Sequence, residues 1–319
     1  MQVYLAAVQA QIEAEAYLSA EAFKERTLAL TRQAVAAAPA GVPRVVAFPE
    51  VYALPLLFWL NTPATIKEVE SSLKAGLNLL AAELRQNPAA LLKRPWPDLL
   101  YHLRLPRVWP AYHEAFSSAA RDSGAYVIGG SFFGPLLDEE PARALHVASR
   151  SSYNWLAVYS PRGRILARPT KIKLTGNEKH AFLSGAPFGS QVLHTKLGKI
   201  GVLICLDAFH ESLVERVDAA GSWLLVQPSA NAAAWNGPWS GDASQVEGQV
   251  WLREGLAKKL AGRENLLYGL NPMLNGDFYE LHFEGRSSVA ATGEYLALAP
   301  EPLGDAAIGA VVELADARG

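Results

Sequence analysis

Three side chains in this sequence sit at the ends of apolar runs: Glu50, Lys171 and the sole cysteine, Cys205. Cys205 lies in Lys199-Ile-Gly-Val-Leu-Ile-Cys-Leu-Asp-Ala-Phe-His-Glu211, where five of the six residues Ile200–Cys205 are apolar and read as a buried strand. Phe209, Leu213, Val214 and Val217 then recur at helical spacing and predict a helix over Ala208–Ala220. A thiol at such a junction meets backbone N–H groups and the positive end of a helix dipole, which favour a thiolate and an oxyanion. Attack by a thiol on a carbonyl also needs a base for the thiol proton and a cation or dipoles for the oxyanion. A buried carboxylate with a raised pKa suits the first role, and a lysine ammonium suits the second. Taken singly, each residue has a plainer reading: Cys205 as a small buried hydrophobe, Glu50 as a helix cap, Lys171 as a solvated hairpin end.

The elements that must position these groups alternate between strand and helix. Val3–Val8 is a short apolar strand, and Phe23, Thr27, Leu30 and Ala34 mark an amphipathic helix over Ser19–Ala38 that Pro39 closes. Val45–Phe48 is a second strand with Glu50 just past its carboxyl end, where α/β sheets place functional crevices. Leu54–Leu60 is strongly apolar, and Thr65-x-x-Glu68 resembles a capping box that opens a helix. Ile66, Val69, Leu73, Leu77, Leu80 and Leu84 give that helix a buried stripe, and Pro88 ends it; Pro95, Pro97, Pro106 and Pro110 punctuate the next stretch. Residues 52–112 thus form a helical excursion, with a lid, a subunit contact and extra core all open as roles. Further elements are a helix over about Val108–Asp122, a strand Tyr126–Gly130, and a hairpin of Trp155–Ser160 with Arg164–Ala167 around Pro161-Arg162-Gly163. A strand Trp223–Gln227, a loop Ser229–Gly241, a helix near Gln249–Ala261, Leu266–Leu270 and two strands around Thr292-Gly293 complete an α/β pattern.

Composition excludes several classes. A net charge of −2 with interspersed signs gives no nucleic-acid footprint and no anionic-membrane surface. One cysteine rules out an intramolecular disulfide framework. Met1–Gln9 lacks a basic leader and is broken by glutamines, and no apolar run approaches the ~18 residues of a spanning helix, so a cytoplasmic protein is expected. The seven histidines show no metal-ligand spacing, and Walker A, Gly-x-Gly-x-x-Gly, Gly-x-Ser-x-Gly and His-Glu-x-x-His motifs are missing.

The segments Val45-Val-Ala-Phe-Pro-Glu50, Tyr153-Asn154 through Pro161-Arg-Gly163 to Lys171-Ile-Lys-Leu174, and Gly201-Val-Leu-Ile-Cys-Leu-Asp207 resemble the nitrilase, or carbon–nitrogen hydrolase, superfamily. Gly129-Gly-Ser131, Pro228-Ser229 and Gly285-Arg-Ser-Ser288 are weaker echoes, and 52–112 is longer than that region usually is. The resemblance implies an α-β-β-α four-layer sandwich, one domain over residues 1–319, a homodimer or larger assembly, and no cofactor or metal. It implies Cys205 as nucleophile, Glu50 as general base and acid, and Lys171 with the backbone N–H of Leu206 as oxyanion partners. Glu178 falls about where the family carries a second carboxylate. Lys173 stands at a position that is histidine in the family, and is expected to face solvent. Leu206-Asp207 after the nucleophile is similar to amidase and carbamoylase branches, where true nitrilases usually have Trp-Glu. The implied reaction is hydrolysis of a small amide or N-carbamoyl compound through a thioester, with ammonia released. Trp235 and Trp239, with Leu54–Leu60, are candidates for an apolar substrate pocket.

Competing readings are a nitrile hydrolase or acyltransferase with the same three residues, and a silent binding protein on the same fold. A cysteine–histidine pair using His180 or His210 would leave Glu50 and Lys171 without a role.

Overall fold

Alternation along the strand Gln2–Gln11 divides the interior into its cores. Val3, Leu5 and Ala7 pack in one cluster with Ile200, Val202, Leu224 and Val226 of a second sheet. Tyr4, Ala6 and Val8 face the other way, onto Phe23 and Leu30 of the helix Ala20–Val35 and Val108, Tyr112 and Phe116 of the helix Asp98–Ser123. A third cluster joins Leu225 of the second sheet, and Leu203 just past one of its strands, to Leu213, Val214 and Val217 of the helix Glu211–Ala219. The cores therefore stack as helices, sheet, sheet, helices. Strands buried on both faces read as continuous apolar runs, which is why period-two patterning is weak here. The computed structural model describes residues 1–86, 98–137 and 147–314. No helix among them is long and apolar enough to cross a membrane.

Among the described residues the first sheet has nine strands, with Gln2–Gln11, Arg44–Ala47 and Tyr126–Ile128 paired in parallel. The second has six, with Gly198–Val202, Ser222–Val226 and Tyr268–Asn271 parallel at its centre. Ala306–Glu313 runs antiparallel to Gln2–Gln11 over its whole length. The hairpin expected around Pro161–Gly163 forms, with Val158 opposite Ala167 and Tyr159 opposite Ile165. The helix Ala20–Val35 is capped by Ser19, whose Oγ accepts the Ala22 N–H, and it buries Phe23, Thr27, Leu30 and Ala34.

Several expectations change. The strand before the cysteine is Gly198–Val202 and ends three residues before its apolar run does. Cys205–Phe209 is a 3-10 turn, and the α-helix begins only at Glu211, so Phe209 leaves the helical stripe. The helix placed after Thr65 begins at Ser72, preceded by a 3-10 turn at Ala64–Ile66. Leu73 and Leu77 are exposed, and its buried face is Ala75, Gly76, Leu79, Leu80 and Glu83. A tertiary contact sets that start: Glu280 accepts from the Ser72 N–H and hydroxyl, both at 2.6 Å. Pro106 and Pro110 lie inside the helix Asp98–Ser123 on its exposed side. Burial of Leu105, Val108, Ala111 and Tyr112 outweighs the backbone bonds these prolines remove. Pro88, Pro95 and Pro97 lie outside the described residues. The helix near Gln249–Ala261 is two helices, Glu247–Glu254 and Leu256–Leu260, divided at Gly255. The hairpin Phe132–Leu137 with Val147–Trp155 has no counterpart among the elements expected from sequence, because Pro135 argues against a strand.

Within 52–112, Arg104 is almost wholly buried and donates to the carbonyls of Leu57 and Leu60 and to Glu83 at 3.0 Å. It clasps the end of the short helix Pro55–Trp59, whose residues are all buried. The apolar run Leu54–Leu60 is therefore core first, with Leu54 and Phe58 also reaching a cavity wall.

Candidate active site

The parallel strands of both sheets deliver turns to one cavity of about 800 Å³. Glu50 follows Arg44–Ala47 in a turn held by Ser131, whose Oγ accepts the Val51 N–H at 2.8 Å and whose N–H donates to the Pro49 carbonyl. Val51 sits at φ +48°, a left-handed conformation that is an outlier for a β-branched residue. Cys205 also sits at φ +48°, and its N–H donates to the Pro228 carbonyl at 2.8 Å. Both turns hold a strained backbone through hydrogen bonds to segments that the sequence marked only faintly, Gly129-Gly-Ser131 and Pro228-Ser229.

Glu50, Lys171, Cys205 and Glu178 all line the cavity and are all buried. Lys171 Nζ donates to Glu50 Oε1 at 2.6 Å and lies 2.8 Å from Glu178 Oε2. Asn154 Nδ2 bridges the two carboxylates, donating to Glu50 Oε1 at 2.8 Å and to Glu178 Oε1 at 2.7 Å. Glu178 is fixed by a capping box with Thr175 at the start of the five-residue helix Gly176–His180. The charges of Glu50 and Lys171 both act on the buried Cys205 thiol, Glu50 raising its pKa and Lys171 lowering it.

The packing sets the electrostatics. Burial raises the Glu50 pKa, Lys171 opposes the rise and Glu178 adds to it; the net shift is upward. Burial and then the charge of Glu50 push the Cys205 thiol well above its usual range, despite Lys171. Burial works against the Lys171 ammonium, yet Glu50, Cys205 and Glu178 together raise it above the ordinary lysine value. The resting site therefore holds a protonated thiol, a fixed ammonium and a carboxylate poised to take a proton. The thiolate anticipated from a helix dipole does not arise, because a 3-10 turn stands where the helix was expected and the sulfur is desolvated.

Leu206 lines the cavity, and its N–H falls in the first turn of the 3-10 segment, where helical geometry supplies no acceptor. Lys173 is exposed, as expected. The candidates Trp235 and Trp239 are not among the residues lining the cavity; Trp235 is buried against Gly248, and its backbone N–H donates to Glu284. The aromatic wall comes instead from Phe58, Tyr101, Phe133, Phe209, Trp251 and Phe278. His180 is exposed at the cavity wall and His210 is not part of it, and the charged groups that act on the thiol are Glu50 and Lys171. Asn154 and Asp207 were present in the sequence motifs without a role. No local pattern marked them: Asn154 and Asp207 are fully buried only in the fold, where buried polar groups must be hydrogen-bonded.

Two helix-flanked sheets that gather a thiol, an ammonium and two carboxylates at their strand ends define an α/β protein suited to carbonyl chemistry. The chain belongs to the carbon–nitrogen hydrolase family, whose profile matches residues 4–253. Over 126 residues it is 32% identical to the omega-amidase NIT2 of Xenopus tropicalis, a match that covers 37% of this chain and only 41% of that relative. A carbon–nitrogen hydrolase from Helicobacter pylori G27 superposes with a TM-score of 0.63 at 17% identity, covering 97% of this chain and 88% of that one. Nit3 of Saccharomyces cerevisiae, of the nitrilase superfamily, gives 0.60 at 18% identity over 97% and 89%. A mutant amidase of Nesterenkonia sp. AN1, with the acetamide moiety of fluoroacetamide added covalently at its active-site cysteine, gives 0.58 at 17% over 97% and 90%. These structures share the fold.

Proposed function

We propose that this protein is a cysteine-dependent amidase, hydrolysing a small amide or N-carbamoyl compound through a thioester. The observation that carries the proposal is the convergence of Cys205, Glu50 and Lys171 on one cavity, with Lys171 Nζ hydrogen-bonded to Glu50 and both charges acting on the thiol. Cys205 Sγ attacks the carbonyl carbon while Glu50 takes the thiol proton. Lys171 and the Leu206 N–H receive the developing oxyanion. The tetrahedral intermediate collapses as Glu50 returns the proton to the nitrogen, and ammonia leaves a Cys205 thioester. Glu50 then deprotonates a water that attacks the thioester, and the proton passes to the departing sulfur. Glu178 and Asn154 hold Lys171 and Glu50 in register throughout.

Leu54, Phe58, Leu100, Tyr101, Phe133, Phe209, Trp251 and Phe278 suit an apolar acyl group. Ammonia release from short amides, ω-amides, N-carbamoyl amino acids and nitriles tests the reading, with wild type and Cys205→Ala side by side and intact mass recorded. Ammonia from wild type alone is expected, with amides ahead of nitriles. An acyl adduct on Cys205 without release would indicate a transferase. Silence without an adduct would leave a binding protein.

A further inference from the structure

We propose that Asp207 is a positioning residue that locks the Lys171 ammonium to the nucleophile turn, an inference that rests on the Glu50–Lys171–Cys205 reading above. Lys171 lies in an irregular stretch after the hairpin, just past a single bridge of Thr170 to Trp155, beyond which no ladder satisfies the backbone. Unpaired buried N–H groups are costly, so the acceptors must come from elsewhere. Asn154 O accepts the Lys171 N–H at 2.8 Å, and the Lys171 carbonyl accepts the Ala186 N–H at 3.0 Å. The next two N–H groups both go to one side chain. Asp207 Oδ2 accepts Ile172 N–H at 3.0 Å, and Oδ1 accepts Lys173 N–H at 2.6 Å. Asp207 is wholly buried and stands two residues after Cys205 in the same 3-10 turn. Its own N–H donates to Ile204 O, and its carbonyl accepts the His210 N–H, so the turn is braced on both sides of the carboxylate.

The consequence is that nucleophile and cation ride on one hydrogen-bonded unit. A sub-ångström shift of the lysine segment would otherwise move Nζ away from Glu50 and the thiol. The charged groups acting on the Asp207 carboxyl are Lys171 and Glu178, and it is burial that pushes it up to about 6. It is thus a costly residue to bury for packing alone.

The test compares Asp207→Asn with Asp218→Asn. Asp218 uses the same chemistry away from the cavity, accepting the N–H groups of Glu264, Asn265 and Leu266. In Asp207→Asn the amide nitrogen faces an N–H donor, and Lys171 loses its anchor. Two readouts are taken: iodoacetamide alkylation of Cys205 across pH, and kcat and KM on the amide that wild type hydrolyses. Alkylation needs no substrate, so it reports on Asp207 even if the amidase reading fails. For Asp207→Asn, alkylation slowed at least about tenfold, with its pH profile displaced upward, is expected, together with a comparable fall in kcat and a KM within about threefold of wild type. Asp218→Asn should lose thermal stability while keeping wild-type alkylation. Wild-type alkylation in Asp207→Asn, or equal slowing in Asp218→Asn, overturns the proposal. If the Asn variant does not fold, Asp207→Glu, which displaces the oxygens by one methylene, is read by the same alkylation criterion.

Discussion

Replacing Lys171 with Met should expose how much of this site's stability rests on one ammonium. Met keeps most of the apolar stem while removing the charge. Lys171 is 1% exposed, and its partners Glu50 and Glu178 are 4% and 6% exposed. The variant leaves two carboxylates sharing one Asn154 Nδ2 in a desolvated space, and removing one partner of a buried pair costs about 3–5 kcal/mol. A second route gives a similar number. The folded variant escapes by protonating a carboxylate, and taking a proton at pH 7 onto a group of ordinary pKa 4.5 costs about 3.4 kcal/mol at 1.36 kcal/mol per unit. With its folded pKa raised, the variant's folded state binds more protons than the unfolded chain above pH 4.5, so its stability falls as pH rises. The penalty relative to wild type should be about 3–5 kcal/mol at pH 7 and shrink to roughly 1 kcal/mol at pH 5. Urea unfolding of both proteins at the two pH values measures this. A loss below about 1 kcal/mol at pH 7, or a loss equal at both values, would refute the picture of two carboxylates held by one buried cation.

Two further outcomes are expected. The pH dependence of kcat/KM should show an ascending limb above the ordinary glutamate value, since Glu50 must be ionised to accept the thiol proton and burial raises its pKa; Asp207, pushed up to about 6, adds to the same limb with the same sign. A limb centred at or below 4.5 would remove Glu50 as the base. Gly130→Ala should destabilise by about 1–3 kcal/mol and lower kcat, because the new Cβ overlaps Tyr52 and comes within 3.0 Å of the Pro49 carbonyl, pressing on the Glu50 turn. Thermal melts and initial rates check both effects, and wild-type values in the two would show that the turn yields freely.

The strands that carry Glu50 and Cys205 were legible because they are buried on both faces and so appear as unbroken apolar runs. The helix Ala20–Val35 was legible because one face meets the sheet and its period shows. The residues with candidate chemistry were legible by type and by their place just past those runs. The segment 52–112 was not, because its elements answer to distant partners. Glu280 starts the helix at Ser72 from 208 residues away, and packing of Leu105, Val108 and Tyr112 carries a helix through two prolines. Trp235 and Phe209 exchanged roles for the same reason: an aromatic side chain is equally suited to a core and to a cavity wall, and only chain placement decides which it meets. Sequence alone determined the nature of the reacting groups, since a thiol, a carboxylate and an ammonium are properties of residues. Tertiary structure decided their protonation, because that depends on desolvation and on charges brought together from positions 50, 171, 178 and 205. It also decided that Asn154 and Asp207 hold the set in place, since hydrogen bonds across more than thirty residues of chain leave no local pattern to read.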